Sequence, residues 1–511
     1  MGMPSPEVIQ IVSFLVVLLC ARYLFRWNRP PLPPGPRGWP LIGNSFDIPT
    51  HSVWQSFAQM GEKWGGLVSL TTLGKTIIII NSFEVAEDLL ESRGGNFSDR
   101  PFLQMGGELV GFRNTLTFSQ YGDRVRKERK LFHQLFGTSI AIERFLPLLR
   151  SETHKFLQKL LLNPDGAVDG TQRTAAAVMM RIAYGYHIAA ERDPFLELFD
   201  LRTKIFAEST QSTALVNLFP LLHYLPAWLP GGYFRTTANK WAKVIQDSIN
   251  GPLGYVKNQM AAGTAEHSFS STLLQEQPDD DYLVKWAASS IYAAGTSTTS
   301  SQLEGFFLAM SLYPDVQVEA QRELDLVIGK DRLPDFSDRP DLPYMNALCK
   351  EVLRWHNANP TGIPHRTRED FIYDRKEGHP PVLIPKDSVI IPNIWYMAHD
   401  PKRYSDPMTF NPRRFLNMDA GEAELDPSRI CFGYGRRICA GKLFADTFIF
   451  LICSTVLSLF NINKASKNGV VVEPAVGQTS GTVSRPLPFA CTVVPRSDKA
   501  RSLIDVTRGA S

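Results

Sequence analysis

The ten residues from 432 to 441 constrain this chain more than any other segment of it. They read FGYGRRICAG, so that one cysteine, Cys439, follows a turn rich in glycine and arginine. Gly435 can adopt backbone conformations that a side chain would hinder. Arg437 carries a planar cation that suits a carboxylate. The segment therefore predicts a loop that presents one thiolate beside a positive charge. The simpler alternative is a buried structural cysteine in a loop of glycine and arginine.

Phe432, Gly435, Arg437, Cys439 and Gly441 fill every fixed position of the pattern F-x-x-G-x-R-x-C-x-G. With these positions filled, the run resembles the cysteine loop of the cytochrome P-450 family, the haem-thiolate monooxygenases. The resemblance implies that all five residues surround a haem (heme b) whose iron takes the Cys439 thiolate as its axial ligand. It also implies that Arg437 contacts a haem propionate and that Gly441 lets the following helix approach the haem. Such a thiolate pushes electron density onto the iron and favours cleavage of the O–O bond.

The periodicity of the chain predicts a fold that is mainly α with a minor β region, in one large haem domain like that of the family. The longest helical segment runs from Tyr282 to Tyr313 without a proline. Residues 67–73 and 76–80 are rich in β-branched side chains and predict a hairpin. A second β-rich stretch, 382–395, contains a turn at residues 385–387. The net charge of +3 gives no indication of a nucleic-acid partner.

The N-terminal segment differs from the rest of the chain. Residues 8–25 are mostly apolar and could just span a bilayer at ~1.5 Å per residue. Arginines follow this segment and none precedes it, which favours a cytosolic location for the rest. We therefore predict a transmembrane anchor at residues 1–27, a Pro-rich hinge at 28–40 and the catalytic domain at 41–511. A cleaved signal peptide is the alternative, although no basic segment precedes the apolar run.

The cysteines agree with a cytosolic domain. They form no CxxC pair and no regular framework, which is typical of a reducing compartment; they are Cys20, Cys349, Cys431, Cys439, Cys453 and Cys491. The anchor and the Pro-rich segment together resemble the anchored members of the family. This resemblance implies a single-pass protein of the endoplasmic reticulum membrane.

The long helix carries nine small residues in succession at 293–301. Thr298 can turn its hydroxyl to the carbonyl of Ala294, four residues earlier, and loosen the helix there. Ala294, Gly295 and Thr298 resemble the family's oxygen-activation motif, which implies that this helix forms the wall opposite the thiolate. Ser297 stands where the family usually carries Asp or Glu, so proton delivery would run through hydroxyls and water. A packing groove for another helix is the alternative.

Glu351 and Arg354 form an E-x-x-R pair on one helix face. Residues 410–415 read FNPRRF, and in the family the arginine at the position of Arg414 joins the Glu–Arg pair behind the haem. A triad of two arginines and one carboxylate would hold the cysteine loop on the core. Its role would be folding and haem retention, not catalysis. Alone, the E-x-x-R pair would be a solvated surface pair.

Two further residues are candidate contacts of the haem propionates. Arg129 matches the arginine of the family pattern W-x-x-x-R, whereas Val125 replaces its tryptophan. The lost hydrogen bond to a charged group is worth roughly 1.5–3 kcal/mol, so haem affinity should fall. His365 stands where relatives often supply another propionate contact; an ordinary turn histidine is the equal alternative.

A group of basic residues predicts a docking surface for an electron donor. These residues are Arg124, Arg126, Lys127, Lys130, Arg436 and Lys442. The chain has no flavin or dinucleotide motif of its own, so we expect a separate NADPH-dependent flavoprotein reductase, steered by charge. A solvated basic face is the alternative.

Apolar and aromatic residues are frequent in segments 102–118 and 217–234, where the family places its substrate lid and a membrane-facing loop. An apolar pocket predicts a hydrophobic small-molecule substrate, such as a terpenoid, steroid, polyketide or polycyclic aromatic. Residues 225–231 resemble fungal membrane-bound members of secondary metabolism and xenobiotic oxidation. The predicted function is monooxygenation; the alternatives are a haem-thiolate isomerase or dehydratase that uses no O2, and a non-catalytic haem-binding protein.

Overall fold

Helices make up most of the protein, as its periodicity predicts. The computed structural model describes residues 29–189, 191–210, 215–218, 222, 224–226, 228–229, 232–375, 380–416 and 424–506. In this part of the chain the α-helices α1 to α17 are Val53–Trp64, Phe83–Ala86, Gly94–Phe97, Asp123–Phe136, Ser139–Glu143, Leu146–Leu162, Ala167–Tyr184, Pro194–Thr210, Leu215–Leu218, Phe234–Ala261, Phe269–Glu276, Asp281–Leu312, Pro314–Val327, Pro343–Trp355, Ile394–Ala398, Lys442–Leu459 and Asp498–Val506. The strands β1 to β10 are Leu67–Thr72, Lys75–Ile80, His365–Arg366, Phe371–Tyr373, Val382–Ile384, Val389–Pro392, Phe460–Lys464, Ser466–Lys467, Val470–Val471 and Cys491–Pro495.

Helix α12 is the axis of the fold, and its observed ends lie within one residue of the predicted ones. The Asp280 carboxylate accepts a hydrogen bond from the Leu283 amide and caps the N-terminus. At ~1.5 Å per residue the helix is about 48 Å long. Helix α7 packs antiparallel along it, because Tyr184 lies against Tyr292 while Met179, further back in α7, lies against Gly295. Most of α12 is buried, so the large core surrounds it.

The predicted hairpin is present, with its turn shifted by one residue. Strands β1 and β2 pair antiparallel from Leu67–Ile80 to Thr72–Lys75, so the turn is Leu73-Gly74 and not Gly74-Lys75. Both turn residues have positive φ, 50° and 83°. Two-residue hairpin turns favour this geometry because it matches the twist of the strands.

The second β-rich stretch does not fold on itself. Strand β5 pairs with β4, whereas β6 joins the main sheet, whose strand order is β1-β2-β6-β3. The turn between them is present, with Asp387 at a φ of 61°. Residues 394–395 already belong to helix α15. Local composition therefore predicted the strands, but each found its partner elsewhere in the chain.

Part of the Pro-rich segment lies against the body of the protein. The Ser69 hydroxyl and amide donate hydrogen bonds to the carbonyls of Pro33 and Pro34, and the Leu383 amide donates to that of Pro31. Proline lacks an amide donor but keeps its carbonyl acceptor. The segment therefore lies along β1 and β5 over residues 31–34.

The predicted membrane anchor at residues 8–25 lies outside the described residues. Among the described helices, α16 is the one long and apolar enough to span a bilayer, and 72% of its apolar window is buried inside the protein. Its phenylalanines and all its leucines except Leu443 belong to the core around α12. Helix α16 is therefore a core helix that follows the cysteine loop.

Candidate functional site

The cysteine loop connects a 3-10 turn, Gly435–Arg437, to the start of α16. Gly435 has a φ of 53°, and a Cβ at this position would collide with the Leu90 carbonyl oxygen. The Cys439 amide donates a hydrogen bond to the Phe432 carbonyl at 2.8 Å, which closes the loop. The turn thus requires glycine, and the backbone alone fixes the position of the cysteine.

The Cys439 side chain is exposed although protein surrounds it on several sides. Burial raises the pKa of its thiol, while a hydrogen bond from the Gly441 amide and the charges of Arg129 and Lys442 lower it. A thiol in this setting becomes a stable thiolate when it coordinates a metal. A Cβ at Gly441 would meet no protein atom within 4 Å, so the predicted need for glycine there stays a prediction.

Three arginines, Arg100, Arg129 and Arg437, form what we call the arginine cluster beside this loop. Arg129 Nη1 donates to the Ile438 carbonyl at 2.9 Å, next to the cysteine. The other two donate to backbone carbonyls of remote segments, at 2.6–3.3 Å, and these acceptors are Thr117, Ile363 and Pro364 for Arg100 and Ser98, Leu116 and Ser119 for Arg437. The cluster is therefore held by carbonyl dipoles.

Carbonyl dipoles, and no paired carboxylate of the described residues, surround the charge of the arginine cluster. Burial, and then the charge of Arg129, lowers the pKa of Arg437 to about 10, and burial with repulsion from the other two lowers that of Arg100. Among the described residues no carboxylate hydrogen-bonds to any of the three. Asp99 lies near Arg437 but pairs with Arg366 and Arg368. The two propionates of a haem, two carboxylates on one side of a planar ring, would complement this donor set, so the residues fit the group.

His365, in β3, lies at the edge of the same cluster and is buried. Its Nδ1 lies 2.6 Å from the Phe97 carbonyl oxygen, which can only accept, so Nδ1 carries the proton. Burial and the neighbouring Arg100 hold the pKa of His365 well below its usual value. The neutral ring therefore keeps Nε2 unprotonated, and an anion bound nearby would raise the pKa again.

Sequence reasoning missed Arg100. It stands in the run Ser98-Asp99-Arg100-Pro101, which has no local pattern that distinguishes this buried arginine from an exposed one. Two of its acceptors, Ile363 and Pro364, lie more than 260 residues away and precede His365. The one signal that could have indicated Arg100 was the charge balance, because the two propionates of a haem need more cations than the cysteine-loop motif supplies.

One face of α12 remains accessible, unlike the rest of the helix. Ala294 is exposed and Thr298 is half-buried, in a helix that is otherwise mostly buried. Thr298 Oγ1 donates to the Ala294 carbonyl at 2.7 Å, the contact that the sequence predicts. Ser290, one turn before Ala294, accepts a hydrogen bond from the Leu116 amide, while the Leu116 carbonyl accepts one from Arg437. The same backbone unit thus connects this face of α12 with the cysteine loop.

The other small residues of α12 face elsewhere. A Cβ at Gly295 would collide with the Met179 sulphur of α7, so glycine here permits close packing of two helices. Ser297 is buried, and its carbonyl accepts a hydrogen bond from the Ser300 hydroxyl. Ala294 and Thr298 therefore lie on the accessible face of α12, whereas Gly295 has a packing role that the small-residue pattern also allowed.

Glu351, Arg354 and Arg414 lie together and are buried. Arg354 binds the Glu351 carboxylate through two hydrogen bonds of 2.7 and 2.8 Å, and Arg414 Nε donates to the same carboxylate at 3.2 Å. The Asn411 amide adds a fourth hydrogen bond. Arg414 also pairs with Glu424. We call Glu351, Arg354 and Arg414 the buried triad, in which the carboxylate offsets both cations.

The buried triad reaches the cysteine loop through Asn357 and Cys431. Asn357 Nδ2 donates to the Arg354 carbonyl and lies 3.4 Å from the Cys431 sulphur. Cys431 directly precedes Phe432, the first residue of the loop, and burial raises the pKa of its thiol to about 12. Cys431 is therefore a neutral packing residue at the base of the loop, a role that cysteine spacing alone did not indicate.

The basic surface is smaller than the sequence predicts. Arg124 is engaged within the protein, since it binds Glu128, the Asn114 carbonyl and the Tyr282 hydroxyl. Arg126 and Lys127 pair with Asp123 and Asp280 but keep exposed side chains. Lys130 and Arg436 are exposed as well, and Lys442 is partly exposed. Four of the six residues are thus exposed, whereas Arg124 and Lys442 are half-buried and bound to backbone carbonyls. Val125, by contrast, is fully buried in α4 and offers no hydrogen-bond donor in place of a tryptophan.

The two segments predicted as a substrate lid meet in the structure. The Met105 amide donates a hydrogen bond to the Asn217 side chain. The first segment lines a cavity of about 270 Å³ whose apolar wall includes Phe102, Leu103 and Phe118. Phe118 also packs against Phe206 of α8, with ring centroids 5.7 Å apart. In the second segment Trp228 is exposed.

Comparisons with known proteins agree with this geometry. The family model described as Cytochrome P450 matches residues 33–490. The chain is 45% identical to Cytochrome P450 monooxygenase 208 of Postia placenta, over 96% of this chain and 95% of that protein. It is 42% identical to Cytochrome P450 monooxygenase claR of Ampulloclitocybe clavipes, over 98% and 93%. It is 38% identical to Cytochrome P450 monooxygenase ppsD of Aspergillus oryzae, over 93% and 90%.

Proposed function

The chain belongs to the cytochrome P450 family and is a monooxygenase, and from that premise we propose that it inserts one atom of O2 into an apolar small molecule with electrons from NADPH. Family membership implies a haem iron with a thiolate ligand. The observation that carries the proposal is the position of Cys439, which is exposed beside an arginine cluster whose Arg437 is connected to α12 through the Leu116 backbone.

Cys439 would ligate the iron, and the closed backbone loop would hold its sulphur in place. The haem, when bound, supplies the redox chemistry that activates O2. Arg129, Arg437 and Arg100 would bind the propionates as bidentate donors, and His365 would lie at their edge. Each guanidinium is already positioned by backbone carbonyls, so little side-chain entropy would be lost on binding. Phe432, Gly435 and Gly441 would shape the loop around the ring.

Thr298 would control protons on the opposite side of the haem. Its hydroxyl hydrogen is engaged with the Ala294 carbonyl, so its oxygen can accept a hydrogen bond from a water in the crevice. No carboxylate stands at Ser297, and that residue is buried, so the proton path that we propose consists of Thr298 and water. A path without an acid favours slower turnover and loss of electrons to peroxide.

Electrons would come from a separate flavoprotein reductase that docks on the exposed cations Arg126, Lys127, Lys130 and Arg436. These residues lie on α4 and in the cysteine loop, the elements that also carry Arg129 and Cys439. Charge steering would accelerate docking of an acidic partner and would weaken at high salt. We further propose that residues 8–25 anchor the protein in the endoplasmic reticulum membrane, with the catalytic domain in the cytosol.

The apolar and aromatic residues of segments 102–118 and 217–234 favour a hydrophobic substrate such as a terpenoid, steroid, polyketide or polycyclic aromatic. Phe102, Leu103 and Phe118 form the apolar part of the cavity wall, whereas Glu108, Arg113 and Arg124 contribute charged side chains to it. Exposed Trp228 would lie at the membrane surface, from which such compounds would enter.

The test uses membranes that contain the protein, a fungal reductase and NADPH, supplied with heavy-isotope O2 and a panel of these compounds. We expect a product that carries one labelled oxygen and that Cys439→Ala abolishes, with Cys491→Ala, a buried cysteine in β10, as the matched control. An unlabelled product that still requires Cys439 would replace this proposal with an isomerase or dehydratase. Thr298→Val should lower the product formed per NADPH consumed and leave haem content unchanged.

A further inference from the structure

His356 is a buried histidine, directly after α14, that the proposed reaction does not use. Its side chain is 2% exposed. A Cβ at Gly305 of α12 would lie 2.8 Å from the His356 ring, so glycine lets the ring lie directly against the backbone of α12. Glycine inside a helix is less favourable than alanine. The close contact between His356 and α12 therefore has a cost in helix stability.

The hydrogen bonds of the His356 ring run in one direction. Gln478 Nε2, an amide nitrogen that can only donate, lies 2.9 Å from His356 Nδ1. The proton is therefore on His356 Nε2, which donates to the Ser301 hydroxyl of α12 at 2.9 Å. That hydroxyl donates in turn to the Ser484 carbonyl at 2.5 Å. Burial, and then the charge of Arg485, lowers the pKa of His356 to about 3, so the ring keeps this neutral form.

The backbone at the end of α14 contacts the same turn of α12. Gln302 Nε2 donates to the carbonyls of Val352 and His356 at 2.7 and 3.0 Å. Gln302 follows Thr298 by just over one helical turn. The side chain and the backbone of His356 thus both contribute to the position of the turn after Thr298.

The next residue, Asn357, contacts the base of the cysteine loop. Its Nδ2 lies 3.4 Å from the Cys431 sulphur, and the Cys431 thiol donates to the Leu353 carbonyl at 3.5 Å. Two adjacent residues after α14 therefore contact two different parts of the site. One contacts the helix that carries Thr298, and the other contacts the loop that carries Cys439.

We propose that His356 is a positioning residue for the reaction, which holds the turn of α12 after Thr298 at a fixed distance from the cysteine loop. This inference rests on the proposed monooxygenase function and adds a residue to it. His356 would touch neither haem nor substrate and would act through Ser301 and the Thr298 hydroxyl. A misplacement of about 1 Å can lower a rate about a hundredfold. Loss of the contact would therefore impair proton delivery, while the contact of Asn357 with the cysteine loop would persist.

Two variants break the contact from its two ends. His356→Phe keeps a flat ring but removes both ring nitrogens, and Ser301→Ala removes the hydroxyl that His356 binds. The matched controls are His399→Phe, at a buried histidine after α15 that binds the Trp395 carbonyl, and Ser311→Ala, at a buried serine further along α12. All are compared as haem-loaded, full-length protein in bilayer discs.

The first readout needs no turnover. Hydrogen–deuterium exchange of the amides of residues 299–305, followed by mass spectrometry, measures how firmly this turn of α12 is held. We expect exchange about tenfold faster in both variants and within about twofold of the wild type in both controls. Unchanged exchange in Ser301→Ala would overturn the proposal, even where His356→Phe fails to fold.

The second readout separates positioning from general destabilisation. Product formed per NADPH consumed is measured with the compound that gives the most labelled product in the isotope experiment. Both variants should lower this ratio about fivefold or more, with haem content unchanged. In a Thr298→Val background they should lower it by less than about twofold further, because His356 and Ser301 act through the Thr298 hydroxyl.

Equal losses in both backgrounds, or the same loss in the controls, would overturn the proposal. Absence of labelled product with every compound would instead reject the proposed function, and the exchange measurement would then decide whether His356 positions this turn.

Discussion

The protein contains two groups of buried arginines, and they are stabilised in opposite ways. In the buried triad, the Glu351 carboxylate offsets Arg354 and Arg414, and Glu424 binds Arg414 as well. In the arginine cluster the described chain supplies carbonyl dipoles and no paired carboxylate. Burial lowers the pKa of Arg437 to about 10, and mutual repulsion adds to the effect, whereas the carboxylates raise that of Arg414.

The contrast separates residues that hold the fold from residues that await a ligand. In the buried triad the charges offset one another within the polypeptide, so the role of the triad is structural. In the arginine cluster the uncompensated positive charge is unfavourable, and a bound anion would relieve this cost. The predictions below test this division.

The largest effect is expected from Glu351→Gln. The amide keeps the shape of the side chain but leaves the buried Arg354 guanidinium without a counter-charge and Arg414 with Glu424 as its remaining partner, so the free energy of unfolding should fall by about 3–5 kcal/mol. Urea unfolding, followed by tryptophan fluorescence, measures this change. Glu197→Gln is the matched control, because its pair with Arg192 is exposed and should contribute less than about 1 kcal/mol. Equal unfolding midpoints for wild type and Glu351→Gln would mean that the triad is dispensable.

Glu304 of α12 provides an intermediate case, because one arginine, Arg485, offsets its charge while Asp169 repels it. Burial raises the pKa of Glu304 from 4.5 to about 7. Between these pH values the folded protein holds one more proton at this site than the unfolded chain, so the free energy of unfolding falls as pH rises. The difference is on the order of 3 kcal/mol across the window.

Glu304→Gln should remove this part of the pH dependence. Urea unfolding midpoints at several pH values between 4.5 and 8, for wild type and variant, measure the difference in slope. Glu197→Gln again serves as the control, since it changes the same charge at the surface. Parallel slopes for wild type and Glu304→Gln would show that the buried carboxyl does not titrate in this range.

Arg129→Met is expected to have opposite effects on the stability of the haem-free protein and on the affinity for haem. Arg129→Met removes a repelled cation, so the haem-free protein should unfold at the same urea concentration or a higher one. Haem affinity should fall by roughly 1.5–3 kcal/mol, about ten- to a hundredfold, because a charge-assisted hydrogen bond is lost. Haem titration by absorbance measures the affinity. Lys130→Met, an exposed change in the same helix, should leave it unaltered. A destabilised haem-free variant would place Arg129 with the structural group.

The sequence could predict contacts that one short segment creates. Glu351 and Arg354 meet because a helix brings i and i+3 together, and Thr298 reaches the Ala294 carbonyl for a similar reason. The cysteine loop closes on itself between Phe432 and Cys439. The central helix and the hairpin could also be predicted, from the helical periodicity and from the runs of β-branched residues.

Contacts between remote segments could not be predicted in this way. Arg100 donates hydrogen bonds to carbonyls that precede β3. Arg202 of α8 donates one to the hydroxyl of Ser289, which is 87 residues away in the sequence. Strands β5 and β6 are neighbours in sequence but pair in different sheets. Gly295 was one small residue among nine, and its contact with Met179 depends on how α7 crosses α12. In each case the local pattern was present, but the partner was decided by tertiary packing.

The assignment of Cys439 as the ligand of the haem iron is tested most directly by the absorption spectrum of the reduced, carbon monoxide-treated protein. The spectrum is recorded for wild type and Cys439→Ala. We expect the wild type to show the absorption band of a thiolate-ligated haem. The variant, whose arginine cluster is intact, should still bind some haem but lose that band. A Cys439→Ala protein that keeps the thiolate band would contradict the assignment of Cys439 as the iron ligand.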